Sequence, residues 1–144
     1  MRRRYGFADT AQQVVGGVLL AGPFVVTEEV WVLAARMTWL HALVTVGVVA
    51  GIGYGALYEA DEGRDPDREA EVGGVPVRFL SLMLVAYGSV AVLALALTAP
   101  TTFLVAGGIL EDPTPVAVAA TTARAVSVGA IFSVVGAATA DSVF

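Results

Sequence analysis

Uncharged stretches dominate this chain: 10–27, 37–58, 79–110 and 113–123 carry no formal charge, and beyond Arg124 another such run reaches residue 140. Crossing about 30 Å of hydrocarbon takes roughly 20 mostly apolar helical residues. The runs therefore fit four membrane-spanning helices, near 11–35, 38–58, 78–99 and 115–139. Within a bilayer only a helix or a closed barrel pairs all of its backbone groups. Continuous apolar runs, rather than alternating ten-residue segments, argue against the barrel. The fold class is all-α, a polytopic transmembrane bundle in one integral membrane domain covering 1–144.

Composition closes the alternatives. Of 144 residues 57% are hydrophobic and 16 more are glycine, while only 15% are charged, against about 25% in a typical soluble domain. A globule this small has too little interior to hide so much apolar surface. A net charge of -5, no cysteine and no basic face disfavour a disulfide scaffold and a nucleic-acid binder. The expected partner is the lipid bilayer, with a homo-oligomer or a membrane partner protein as a further candidate and no nucleic acid. Acid excess with neither Lys nor Asn resembles proteins of salt-loving archaea.

Orientation follows from arginine. Arg2, Arg3, Arg4, Arg64, Arg68 and Arg78 fall on one side of a four-span arrangement and only Arg36 flanks the other. Both termini are therefore expected in the cytoplasm of a multi-pass cell-membrane protein. The polar connector 59–77 holds seven acids, Glu59, Asp61, Glu62, Asp65, Asp67, Glu69 and Glu71, and reads as a solvated cytoplasmic loop. Asp65, Asp67 and Glu69 imitate the opening of a calcium loop, but Ala70 stands where such a loop needs glycine. Val72-Gly73-Gly74-Val75-Pro76 turns the chain into the third helix. Past Pro100, 103–110 is either an interfacial or re-entrant piece or the end of a long, tilted third helix.

Small residues recur every four positions at Gly47, Gly51 and Gly55, and again at Ala125, Gly129, Ser133 and Ala137. In lipid such stripes let backbones approach closely. Packing within the bundle is the first reading and an oligomer interface the second. Glu28 and Glu29 interrupt the first span and Arg124 the fourth. At 1.5 Å per residue, Glu28 lies about 10 Å and Arg124 about 12 Å below the same surface. The eight Val, Ile and Phe residues of the fourth span favour insertion by about 2.4–4.8 kcal/mol, which a central Arg at about 2.5–3.5 kcal/mol nearly cancels. Arg124 is thus expected to pair with Glu28 or Glu29, as an ion pathway or an internal ion pair, with Pro23 kinking the helix nearby. Alternatively the first helix ends at Thr27. Both glutamates then sit at headgroup level, and Trp31, Trp39 and His41 are interfacial.

Gly16-Gly17, Gly22-Pro23 and Thr27-Glu28-Glu29-Val30-Trp31 resemble the first-helix signature of a family of prokaryotic integral membrane proteins catalogued as domain of unknown function 2391. The resemblance, over about a quarter of the chain, places the family's glutamate on Glu29 and its tryptophan on Trp31. Glu28 and Val32 depart from the pattern. It implies a helical membrane protein and no particular activity. No thiol and a single histidine give catalysis little support, so neither enzymatic activity, nor a cofactor, nor a metal is expected. The surviving functions are an oligomeric permeation or transport unit for a cation or proton, and a non-catalytic subunit or scaffold.

Overall fold

A computed structural model describes residues 5–59 and 64–143, apart from the side chain of Arg68. Arg2, Arg3, Arg4, Asp61 and Glu62 lie outside the described residues. In chain order the elements are α1 (Phe7–Val25), α2 (Glu28–Arg36), α3 (Trp39–Tyr54), the strands β1 (Glu71–Val72) and β2 (Val75–Pro76), α4 (Val77–Ala96) and α5 (Pro115–Val143). Helix α3 runs on as a π turn over Gly55–Glu59, and a second π segment covers Pro100–Ala106. The helix from Trp39 to Glu59, α4 and α5 are each long and apolar enough to cross a membrane. The α1–α2 pair adds a fourth crossing if counted as one broken span.

The first span therefore differs from the straight helix expected over 11–35. It stops at Val25, and α2 leaves it at 82°. Pro23 stays inside the last turn of α1, and the break falls on Val26 and Thr27 rather than on the proline. Local hydrogen bonds hold the break. Thr27 Oγ1 donates to Phe24 O at 2.9 Å, and the indole of Trp31 donates to Val25 O at 3.0 Å. The indole satisfies a carbonyl at the end of the helix, and the Thr27 hydroxyl reinforces the bond its own N–H makes to Phe24 O, which matters where water is scarce.

Capping marks the other starts. The Asp9 carboxylate accepts from Gly6 N at 2.9 Å, and at the head of α3 the ring Nδ1 of His41 accepts from Thr38 N at 3.1 Å. Before α4 the chain makes a two-residue hairpin, with Val72 opposite Val75. Gly73 and Gly74 both have positive φ, 60° and 85°, as the tightest hairpin turn demands of both central residues.

Helix α5 is the axis of the bundle and packs on α1, α2, α3 and α4. Two apolar cores lie along it. Trp31, Val25, Ala34, Val90 and Leu104 gather at one end, and Leu57, Leu82, Ala86, Val134 and Ala137 toward the other. Beside the second core α1 and α5 touch through glycine: a methyl on Gly16 would strike the carbonyl oxygen of Gly136, and the reverse holds. Ser133 seals this contact by donating to Gly17 O at 3.2 Å, and Gly129 receives Val90.

The α3 stripe behaves differently. Gly47, Gly51 and Gly55 have nothing within 4 Å of where a Cβ would stand. They face outward, whereas Gly53 packs inward, against Met83, Leu82 and Val134. Packing inside the bundle, the first reading of the stripe, is not what these three glycines do. A period of four finds one face of a helix without saying which way the face points.

Candidate functional site

Ionised side chains collect at the end of the bundle where α1 and α4 begin and α5 ends. Arg78, one residue into α4, binds both oxygens of Asp141 through Nη1, at 2.7 and 2.8 Å. Its Nε donates to Glu69 at 3.0 Å, and Asp9 stands 3.7 Å from Nη1. The Asp141 side chain is fully buried. Gln13 Nε2 donates to Asp141 at 3.3 Å, which leaves Gln13 Oε1 to accept from Ser81 at 2.7 Å and Tyr5 at 3.1 Å. Tyr5 also bonds Thr10, and its ring lies under the Arg78 guanidinium at 4.8 Å. From the loop, Glu69 accepts from Tyr58 at 2.7 Å and lies 3.8 Å from Arg64, which is equally far from Asp141. The loop is thus clamped onto the bundle by Glu69, where the sequence predicts a freely solvated segment. A charge removed from water is tolerated when paired and hydrogen-bonded, and here Arg78 is paired through Nε and Nη1 while Asp141 accepts from both Arg78 and Gln13.

Sequence reading misses this cluster. Arg78 and Glu69 count there only toward orientation and loop charge, while Asp9, Gln13, Tyr58 and Asp141 are not singled out. A signal existed, because four crossings return residues 9, 58, 78 and 141 to one side of the membrane.

At the opposite end the expected pairing fails. Among the described residues Arg124 makes no ion pair with Glu28 or Glu29. Its Nε donates to Ala34 O at 2.9 Å, an Nη donates to Thr121 Oγ1 at 3.3 Å, and the guanidinium stacks over the Trp39 ring at 5.3 Å. The physical reason is the break after Val25. Depth counted along a straight helix put Glu28 level with Arg124. With the helix bent, Glu28 and Glu29 become the exposed first turn of α2, where the positive helix end favours acids, and α2 instead turns a backbone carbonyl toward Arg124. Trp31 is corrected too: 1% exposed and stacked on Phe103, it belongs to the core, not the interface. Trp39 is 59% exposed, and His41 is exposed while it caps α3. No group of acids and histidines able to hold a metal occurs among the described residues.

Midway along the bundle a hydroxyl chain joins three helices. Thr45 Oγ1 donates to Ala42 O at 2.6 Å, so it accepts from Ser127 at 2.7 Å, and Ser127 in turn accepts from Tyr87 at 3.0 Å. Such interhelical bonds stabilise membrane bundles modestly, by about 0.6 kcal/mol each.

Apolar helices of spanning length, outward hydrophobic faces and charges gathered at helix ends define a polytopic α-helical membrane protein. The chain belongs to the family described as "Putative integral membrane protein (DUF2391)", whose model matches residues 2–141. Neither a curated protein nor a solved structure matches it. The residues that carried the resemblance have structural work here: Gly16 and Gly17 seat α5, and Thr27 and Trp31 close the break after α1.

Proposed function

We propose that the protein is a non-catalytic membrane subunit that assembles with a second copy of itself through the outward face of α3. The observation that carries this reading is the open space over Gly47, Gly51 and Gly55. Lipid solvates leucine as well as glycine, whereas glycine weakens a helix by about 1 kcal/mol relative to alanine. Three of them on a lipid-facing stripe gain nothing unless another backbone comes close. The stripe is also self-complementary, as a two-fold contact requires. Of the three unbroken spans, the one containing α3 is the least covered by its own chain. In mild detergent the protein is expected to run as a dimer, and Gly51→Leu as a monomer. A stable wild-type monomer contradicts the proposal, and a complex with a different protein replaces the second copy by that partner.

Permeation of a cation or proton is the second reading, favoured by the buried Asp141–Arg78 cluster at the end of the bundle, since buried ionisable groups of membrane proteins mark ion paths in other folds. Glu28, Glu29 and Arg124 do not converge into such a path within one chain, and α1 and α5 are in backbone contact at Gly16 and Gly136. Conduction therefore needs the oligomer. Proton, sodium and potassium flux into liposomes, with Asp141→Asn alongside, tests it. In either reading the arginine count favours a cytoplasmic side for the Arg78 end.

A further inference from the structure

Helices α3, α4 and α5 and the π segment at Pro100–Ala106 enclose a lateral groove of about 1070 Å³. Leu43, Val46, Ala91, Val126, Tyr87 and Thr122 are among its walls, and Trp39 stands with them where α3 begins. Arg124 stacks on that tryptophan. Of the five N–H donors a guanidinium carries, Arg124 has two engaged, on Ala34 O and Thr121 Oγ1. Among the described residues no carboxylate lies within ion-pair distance of it. An arginine at membrane depth is costly until an anion or a polar phase reaches it. Here it sits beside α2, which runs nearly perpendicular to α1. Along the same wall, Thr122 Oγ1 is buried with no hydrogen-bond partner. A cation with spare donors beside the wall residue Trp39, a long apolar groove and an unpaired hydroxyl on its wall supply partners for the three parts of a phospholipid: phosphate, ester or ether oxygens, and hydrocarbon.

We propose that this groove binds one anionic phospholipid of the surrounding bilayer, its phosphate held by Arg124 beside Trp39, its linkage oxygens near Thr122, and one chain lying between α3 and α5. Arginine suits the phosphate because its planar fork donates two parallel bonds. The groove borders the glycine stripe, since Trp39 and Leu43 continue the four-residue row of Gly47, Gly51 and Gly55 on α3, but all of its residues come from one chain, so it does not rest on dimer formation.

Native mass spectrometry of the full chain in mild detergent, titrated with phosphatidylglycerol or with phosphatidylcholine of the same chains, tests this. One phosphatidylglycerol is expected to bind about tenfold more tightly than phosphatidylcholine, the equivalent of one good charge-assisted contact. Arg124→Gln should abolish the preference and Arg124→Lys should keep part of it. Ala119→Trp, which fills the groove from an exposed wall position, should weaken both lipids without touching the arginine. Equal binding of the two lipids by the wild type, or undiminished phosphatidylglycerol binding by Ala119→Trp, overturns the proposal even if Arg124→Gln fails to fold.

Discussion

Gly16 and Gly136 meet backbone to backbone, so that no side chain separates α1 from α5 at their crossing. In a bilayer, where apolar burial does not drive helices together, such contact is a main source of cohesion, through dispersion over a large area. Adding one methyl at Gly136 forces the helices apart. Gly136→Ala should cost about 1–3 kcal/mol, the usual penalty of overpacking. Gly22→Ala, with open space around its Cβ position, should be neutral or slightly stabilising. Thermal unfolding of both variants in one detergent compares them.

Arg78 and Asp141 form the second prediction. Removing one member costs the other its closest partner, so Asp141→Leu or Arg78→Met should each destabilise. The loss should be less than the about 3–5 kcal/mol of a wholly stranded buried charge, because Glu69 and Asp9 remain beside Arg78 and Arg64 and Gln13 beside Asp141. The double variant strands neither, and its loss should fall well below the sum of the two. Unfolding free energies for the three proteins close the cycle, and additive losses would show that the two residues do not act as a pair.

Tryptophan reports the break after α1. Trp31 is enclosed by the core and Trp39 is open to the surroundings of α3. In liposomes containing brominated lipid, the Trp31→Phe protein, which keeps Trp39, should be strongly quenched, and the Trp39→Phe protein only weakly. Trp31→Phe should also cost about 1 kcal/mol through loss of the bond to Val25 O.

The helical membrane fold was legible because charge-free runs of spanning length admit few other structures, and α4 begins within a residue of its expected start. Directions across a helix were less legible. The period of Gly47, Gly51 and Gly55 appears in the sequence, but α3 is apolar on every side, so nothing distinguishes its inner face from its outer one. The break at Val26 and Thr27 was open as an alternative and not decided, because Thr27 and Trp31 act there through hydrogen bonds to backbone carbonyls that any sequence possesses. The error over Arg124 follows from it, since depth counted along a straight helix is wrong beyond a bend. Asp9 and Asp141 escaped because each lies near a helix end, where a charge looks ordinary until the neighbouring ends are brought together, and Gln13 because it is uncharged.

The most direct test of the account is oxidative cross-linking in native membranes of single-cysteine proteins, which the absence of native cysteine makes simple. Gly51→Cys on the outward face of α3 is predicted to give a disulfide-linked dimer, while Leu84→Cys, likewise exposed on α4, stays monomeric. A monomer at both positions, or equal dimer at both, would contradict assembly through α3.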